Sequence, residues 1–433
     1  MNYLLKNGQI LLSGELRIRD LLIVAGRIAA IGKNLVASGV KTVDLQHAFI
    51  TPGLVDLHVH LRDPGMTAEE TIATGSLAAA HGGFTFVGAM PNVLPVPDNA
   101  EKLSQLIQRQ QAEGVVHIGQ YATITQKRTS QYLVDFAQLK QAGALAFSND
   151  GSGVQSARTM LQAMQAAQTV NLPIAAHVEA EELVQGGVIN AGVTAKTLNL
   201  PGIPETAETA QLARDLVLAQ ATGVHYHMCH VSTAAAVQMI RCAKQVGVNV
   251  TCEVTPHHLL LSEQAICNDD GNFKMNPPLR TEHDRQALLQ GLLDGTIDCI
   301  ATDHAPHTIE EKQLGLKKAA FGIVGSETAF SLLYTHLVKT NFCTLAQLIE
   351  WLNQQPIKIF SLGLPTELAV GAPADLAIFD LTHPFKINAA DFCSKSANTP
   401  FLGEKVYGKT LCTIVAGKIV YLADELKAAI TDE

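Results

Sequence analysis

Residues 51–65 of the chain read Thr-Pro-Gly-Leu-Val-Asp-Leu-His-Val-His-Leu-Arg-Asp-Pro-Gly. An alternating apolar run follows the first Pro-Gly turn and ends in His58 and His60, two residues apart. Side chains on a strand alternate between its two faces, so both imidazoles point the same way. Arg62 continues that face before the second Pro-Gly pair breaks the strand. The stretch predicts a strand that delivers two metal ligands and a cation into a loop, the alternative being two surface histidines on an edge strand.

From about residue 53, short apolar runs alternate with longer stretches that have helical spacing. The predicted strands are Gly53–Val59, Phe84–Met90, Val115–Ile124, Ala144–Phe147, Pro173–His177, His225–His230, Val248–Val254 and Ile297–Thr302. The predicted helices are Ala68–His81, Asn99–Glu113, Ser156–Val170, Glu205–Ala221, Thr233–Val246 and Arg285–Leu293. Eight strands that alternate with helices predict an α/β fold, a (β/α)8 TIM-like barrel.

Both ends of the chain have a different pattern, with short strands separated by turn residues such as Asn7-Gly8 and Gly26. This pattern covers residues 1–52 and returns after about residue 365. We therefore expect residues 1–52 and 365–425 to form one small composite β domain. Residues 53–364 would form the barrel.

The composition excludes several classes of protein. Of the 433 residues 47% are hydrophobic, which is enough for a large core, and the net charge of -9 argues against a nucleic-acid or anionic-membrane surface. No apolar run reaches the roughly 18 residues of a membrane span. Eight cysteines without a Cys-x-x-Cys pair indicate reduced, buried thiols, and with no signal-peptide layout a cytoplasmic location is expected. The charged tail 423–433 is expected to be helical or frayed.

If the barrel forms, its active site lies at the carboxyl ends of the strands. Six side chains that can bind metal fall at such ends, and they are His58, His60, Asp150, His177, His230 and Asp303. Nitrogen and oxygen ligands of this mix suit zinc, with manganese or cobalt as substitutes. Six ligands are too many for one tetrahedral zinc with an open position, so two metal ions sharing a carboxylate fit better. Taken singly, each residue has a structural alternative, as Asp150 before Gly151 would in a turn.

Polar groups at other strand ends suit a substrate that has a carboxylate and a cyclic amide. Arg62 and His307 can carry positive charge, and Asn92 and Asn276 offer amide donors and acceptors. The alternative for the asparagines is a turn beside proline. Asp303 is the expected general base, which passes a proton from the nucleophile to the leaving nitrogen.

Taken together, the motifs resemble those of dihydroorotases of the class found in many bacteria, within the amidohydrolase superfamily. They are His58-Val-His60-Leu-Arg62-Asp-Pro-Gly65, Met90-Pro-Asn92, Asp150-Gly151, His177, His230, Asn276-Pro-Pro-Leu-Arg280 and Asp303-His-Ala-Pro-His307. The resemblance covers nearly the whole chain. It implies reversible hydrolysis of L-dihydroorotate to N-carbamoyl-L-aspartate, the third step of pyrimidine synthesis.

The resemblance also implies roles for residues. The ligands implied for two zinc ions per subunit are His58 and His60 for the first, His177 and His230 for the second, and Asp150 as the bridge. Asp303 would bind the first zinc and act as the base. The implied substrate contacts are His60, Arg62, Asn92, Asn276, His307 and the backbone of Phe321 and Gly322. The loop Asp303–Lys312 resembles the mobile active-site loop of the family.

Partners follow from the same resemblance. A small-molecule substrate and a homodimer are expected, and binding of a carbamoyltransferase is left open. One departure is Asn149, where the family pattern usually has a second aspartate, and we expect little effect because Asp150 keeps the ligand.

Two rival functions remain. Hydantoinases and allantoinases share the His-x-His barrel but resemble a group bridged by a carbamylated lysine, and this chain has no lysine between Gly143 and Gly153. The other rival is a catalytically silent barrel that supports a carbamoyltransferase. Such proteins, by family resemblance, have lost metal ligands, whereas all six are present here.

Overall fold

The computed structural model describes residues 2–12, 14–129 and 131–427. In this part of the chain the strands are β1 (Tyr3–Leu12), β2 (Glu15–Val24), β3 (Arg27–Gly32), β4 (Lys41–Asp44), β5 (Phe49–Pro52), β6 (Leu54–Val59), β7 (Phe84–Ala89), β8 (His117–Gln120), β9 (Ile174–Ala176), β10 (Ile189–Asn190), β11 (Gly202–Ile203), β12 (Tyr226–Met228), β13 (Val250–Val254), β14 (Cys299–Ile300), β15 (Leu376–Asp380), β16 (Phe385–Lys386), β17 (Lys405–Val406), β18 (Lys409–Val415) and β19 (Lys418–Leu422).

The α-helices of the same residues are α1 (Ile72–His81), α2 (Ala100–Glu113), α3 (Phe136–Gln141), α4 (Ala157–Val170), α5 (Glu181–Val184), α6 (Val193–Leu198), α7 (Thr206–Thr222), α8 (Ala234–Gln245), α9 (Pro256–Leu260), α10 (Glu282–Leu293), α11 (Ile309–Lys312), α12 (Gly315–Lys318), α13 (Ala329–Leu333), α14 (Leu345–Ile349), α15 (Gln355–Phe360) and α16 (Asp424–Lys427). Two π-helical segments, Tyr334–Val338 and Glu350–Gln354, extend α13 and α14. Helix α16 lies within the tail 423–433 that was predicted to be helical or frayed. Residues 428–433 of that tail lie outside the described residues.

The predicted helices are confirmed to within a few residues, and capping side chains set where they begin. Thr71 forms a capping box that begins α1 at Ile72, four residues after the predicted start. A second capping box at Thr281 begins α10 at Glu282, three residues before the predicted start. Local capping chemistry therefore fixes boundaries that hydrophobic periodicity leaves loose.

Parallel strands form a closed ring, which confirms the TIM-like barrel. One arc is β6-β7-β8, and the other is β9-β12-β13-β14. Phe147 bridges the arcs by pairing with Ala122 and Ile174, and Val59 pairs with His304 to close the ring. The residues of β6 and β7 are all buried, as expected of parallel strands covered on both sides.

The fourth barrel strand differs from the prediction. Residues Ala144–Phe147 do not form a regular strand, and only Phe147 makes bridge pairs. Gly143, at φ +99°, ends the preceding turn, and the turn at Asp150 follows at once. The segment between them makes only these isolated bridges, yet it still places Asp150 at the same rim of the barrel.

A second sheet joins the two ends of the chain, in the order β19-β18-β15-β5-β1-β2-β3 with β4 against β1. This pairing supports the composite β domain, whose boundaries remain a prediction. The predicted turn at Asn7-Gly8 is wrong: both residues lie inside β1, where the register shifts between Leu5 and Gly8. Asn7 adopts φ +56°, and its N–H donates to Asp20, so a bulge replaces the turn.

The structure can also be compared with two predictions from composition, those on the cysteines and on membrane spans. All eight cysteines are free, and Cys242 and Cys267 are exposed rather than buried. Within the described ranges, none of the helices combines the length and the apolar character that crossing a bilayer requires.

Candidate active site

The first strand of the barrel, β6, brings His58 and His60 to the barrel mouth on one face, as their spacing predicts. Asp303 follows the last strand of the barrel, β14, and lies beside them. The Nε2 atom of His60 lies 3.0 Å from Asp303 Oδ1, and the Nε2 atom of His58 lies 3.4 Å from the same oxygen. All three side chains are buried. These atoms form the first of two groups that point toward a common centre.

The second group consists of Asp150, His177 and His230. The Nδ1 atom of His177 is 3.0 Å from His230 Nε2, and Asp150 Oδ1 lies 3.8 and 3.6 Å from these two nitrogens. Asp150 also lies 3.4 Å from His58 and 3.5 Å from His60. The carboxylate of Asp150 therefore stands between the two groups, and the structure brings all six predicted ligands together.

The spacing of these atoms fits metal ions. Ligands at about 2.0–2.1 Å from a tetrahedral zinc lie roughly 3.3 Å apart, close to the 3.0–3.8 Å separations found here. His58 Nε2 and Asp150 Oδ1 are buried and have no hydrogen-bond partner. Buried polar atoms without partners are costly, and a cation shared by both atoms would satisfy them.

Glu253 on β13 orients one of the histidines, and the sequence analysis did not identify it. Its Oε1 atom lies 2.7 Å from His58 Nδ1 and its Oε2 atom lies 3.1 Å from His227 Nε2. A carboxylate only accepts hydrogen bonds, so His58 carries its proton on Nδ1 and keeps Nε2 free for a metal. Burial opposes ionisation of Glu253, but His58 and the bonds from both imidazoles lower its pKa to about 2. A charged side chain within the apolar run Val248–Val254 was the signal available in the sequence.

Glu253→Gln is expected to weaken metal binding about 10- to 100-fold, as for other changes to the partners of ligating histidines. The amide keeps the shape of Glu253 but removes the charge and places an N–H group against one imidazole. Competition with a chromophoric chelator measures the effect. Glu263→Gln is the matched control, because Glu263 is a buried carboxylate that bonds to Asn190 and Val193 instead. Unchanged affinity in Glu253→Gln would contradict this role.

His60 is held in a similar way by a residue that was predicted to bind substrate. Asn92 Oδ1 lies 2.8 Å from His60 Nδ1, which leaves the Nε2 atom of His60 to face Asp303. Burial would raise the pKa of Asp303, but the charge of the neighbouring His58 holds it well below its usual range. The Asp303 carboxylate is therefore ionised.

Three of the residues at the mouth have a left-handed backbone, which is uncommon for side chains other than glycine. They are Arg62 at φ +58°, His230 at φ +35° and Asp303 at φ +50°. Backbone strain of this kind persists where the surrounding structure fixes it, and it is concentrated at functional sites. The left-handed conformation turns the side chains of Arg62, His230 and Asp303 into the mouth just after their strands end.

Arg62 lies beside His307, as the substrate prediction requires, but it also has an unforeseen neighbour. Its Nη2 atom is 3.1 Å from His307 Nε2, and its Nε atom is 3.0 Å from Glu69 Oε2. Burial, followed by the charges of Arg62 and Lys312, lowers the pKa of His307 to about 3. In the site without substrate His307 is therefore neutral, and the positive charge expected of both residues comes from Arg62 alone.

The remaining predicted substrate residues lie around the same mouth. Asn276 donates to Glu179 at 2.8 Å, and its buried Oδ1 atom has no partner, so this oxygen is free to accept from a ligand. Phe321 is 37% exposed, and its carbonyl oxygen lies 2.8 Å from His307. Gly322 packs so closely that a Cβ atom there would lie 3.2 Å from His307 Nε2.

Comparison with known proteins identifies the family of this chain. A family model described as "Dihydro-orotase-like" matches residues 48–236. A dihydroorotase from Lactiplantibacillus plantarum is 58% identical over 426 residues, which are 97% of this chain and 99% of that protein. The chain belongs to the dihydroorotase family. A second dihydroorotase, from Pediococcus pentosaceus, is 55% identical over 97% of this chain and 99% of its own length.

Solved structures of other enzymes share the fold of this dihydroorotase family member. An L-hydantoinase from Arthrobacter aurescens superposes with a TM-score of 0.86 at 26% identity, covering 97% of this chain and 96% of the other. A dihydropyrimidinase from Brevibacillus agri has a TM-score of 0.85 at 22% identity, with 98% and 95% covered, and shows the shared fold alone. The (β/α)8 barrel with its strand-rich terminal segments is therefore common to both activities, and the residues at the mouth must distinguish them.

Proposed function

We propose that this enzyme opens the ring of L-dihydroorotate to N-carbamoyl-L-aspartate, and closes it again, at a centre of two metal ions in the barrel mouth. One observation carries the proposal. The carboxylate of Asp150 lies within 3.4–3.8 Å of nitrogen atoms from all four imidazoles of the site, so that two ions could share it.

The residues fit zinc best. His58, His60 and Asp303 would hold the first ion, and His177 and His230 the second, with Asp150 shared. Bound ions would supply polarisation of the ring carbonyl and a lower pKa for water. The second ion would have fewer protein ligands than the first.

Asp303 carries the proton in this scheme. As water adds to the amide carbon, Asp303 accepts a proton from it. The carbon–nitrogen bond then breaks, and the same carboxylate gives that proton to the leaving ring nitrogen. Ring closure follows the reverse path, so one group serves both directions.

Arg62 and Asn276 would orient the substrate. The guanidinium is buried beside Glu69 and His307, and a substrate carboxylate would bind its N–H groups in the mouth. The unpartnered Asn276 oxygen suits a ring N–H. Closure of the loop Asp303–Lys312 over bound substrate stays a prediction.

The hydantoinase alternative is weaker because of the bridge. Asp150 already supplies a carboxylate at the fourth strand end, and no lysine lies near it in the sequence. A silent barrel is disfavoured because all six ligands converge. We further propose a cytoplasmic homodimer that acts on this small molecule without nucleic acid or membrane, and sedimentation equilibrium of the purified enzyme tests the dimer.

The substrate carboxylate should dominate recognition. We expect kcat/KM for dihydroorotate to exceed that for dihydrouracil, which lacks the carboxylate, by at least about 100-fold, because an unpaired buried guanidinium is costly. Steady-state assays of both compounds measure the ratio. Arg62→Met should abolish the preference, whereas Arg158→Met, at an exposed arginine of α4, should keep it. Equal kcat/KM values for the wild type would contradict the proposal.

A further inference from the structure

The segment Ala320–Gly322 presents an unusual set of contacts at the edge of the mouth. Each of its three carbonyl oxygens lies within hydrogen-bond distance of a side chain from another segment. Lys312 donates to Ala320 and Gly322 at 2.8 Å each, and the His307 ring lies 2.8 Å from the Phe321 oxygen. Asn398 donates to the Gly322 oxygen at 3.1 Å. The main chain of this segment belongs to no regular strand and is held by these side chains.

Lys312 is buried for this purpose. Only 5% of the residue is exposed, and its ammonium group donates to a third carbonyl, that of Lys274, at 3.0 Å. Three donors meet three acceptors, so only the charged form satisfies every bond. The three hydrogen bonds offset part of the cost of burying the ammonium group, and removing them would leave three carbonyl groups without these donors.

Asn398, from the C-terminal part of the chain, is the second side chain that holds this segment. It is 5% exposed, and its Nδ2 atom donates to Ala305 at 3.2 Å as well as to Gly322. Its Oδ1 atom accepts a hydrogen bond from the main-chain N–H of His307 at 3.2 Å. One amide therefore fixes the loop that carries His307 and the segment that carries Gly322.

We propose that Lys312 and Asn398 are positioning residues for substrate binding, which fix the main chain of Phe321 and Gly322 against His307. The proposal rests on the proposed function. Since neither side chain contacts the six metal-binding residues, their contribution falls on the shape of the substrate pocket. The tight fit at Gly322, where a Cβ would come within 2.6 Å of Ala305 Cβ, shows how little displacement this wall accepts.

The expected signature is a change in KM without a matching change in kcat. Lys312→Met keeps the length of the side chain and removes its donors. We expect KM for dihydroorotate to rise about tenfold while kcat stays within about twofold, the pattern of lost binding that is equal in ground and transition states. Lys318→Met, at an exposed lysine of the neighbouring helix α12, is the matched control and should leave both constants unchanged.

Asn398→Ser tests the second residue and carries the experiment if Lys312→Met does not fold, as judged by circular dichroism. Its control is Asn388→Ser, at an exposed asparagine of the same terminal region. Because both residues bind the Gly322 carbonyl, the double variant should raise KM by less than the product of the single effects. Metal content should equal that of the wild type.

Two results would overturn the proposal: KM unchanged in folded Lys312→Met and Asn398→Ser, or a fall in kcat with loss of metal in either. Failure of the proposed function is distinguishable, because it would show as absent turnover in the wild type and in both controls.

Discussion

Asp303→Asn is expected to lower the rates of ring opening and of ring closure by at least about 100-fold each, the loss typical of a missing general acid–base group. Asparagine keeps the shape of the side chain but accepts no proton. Both directions suffer because the forward and reverse reactions pass through the same transition state. In the structure Asp303 has an ionised carboxylate 3.0 Å from His60, in a strained backbone that directs it into the mouth.

Asp303 is also expected to bind metal, so the assay must separate the two roles. Initial rates with dihydroorotate and with carbamoyl aspartate should be measured at saturating zinc, with metal content determined on the same samples. Asp215→Asn, which removes a buried carboxylate bonded to Tyr226 and Arg214, is the control. A metal-replete Asp303→Asn variant that is impaired in one direction only would show that Asp303 is not the shared base.

Asp150→Ala is expected to reduce the bound metal from about two ions to about one ion per chain, since a stable zinc site needs three or four protein ligands. Without Asp150 the second ion would retain only His177 and His230, whereas the first would retain His58, His60 and Asp303. Activity should fall with the loss of the second ion, because polarisation of the ring carbonyl is lost with it.

Bicarbonate gives this experiment a second arm. A carbamylated lysine needs carbon dioxide to form, but an aspartate bridge does not, so metal loading of the wild type should be independent of bicarbonate. Asn149→Asp is a control one residue away that keeps the bridge. In the wild type the Asn149 amide donates to Thr125 and to the Arg128 carbonyl. We therefore expect the Asn149→Asp variant to lose some folding stability without losing metal. Bicarbonate-dependent loading, or an Asp150→Ala variant that holds both ions as tightly as the wild type, would make Asp150 a turn residue.

The sequence predicted the barrel and the convergence of the ligands because both follow from local patterns. Alternation put His58 and His60 on one face, and the repeated strand–helix pattern put the ends of distant strands at one rim. The structure brings those ends to within hydrogen-bond distance, as in the 3.0 Å between His60 and Asp303. Neither step needed tertiary detail beyond the fold class.

What the sequence did not predict depends on contacts between remote segments. Glu253 contacts His58, which is 195 residues away in the sequence, and Asn398 donates a hydrogen bond to Ala305, which is 93 residues away. No periodic pattern in the sequence links residues at such separations. Backbone conformation was equally hidden, as in the left-handed Asp303 and the bulge at Asn7. Both are imposed by neighbouring segments on residues whose own preferences do not require them.

The turnover of dihydroorotate by the zinc-loaded enzyme, with hydantoin and allantoin as parallel substrates, tests the central claim most directly. The account predicts rapid ring opening of dihydroorotate, the reverse reaction with carbamoyl aspartate, and little turnover of either control. Hydrolysis of hydantoin or allantoin at a rate equal to or above that of dihydroorotate would contradict it, as would a fully metal-loaded protein that turns over none of the three.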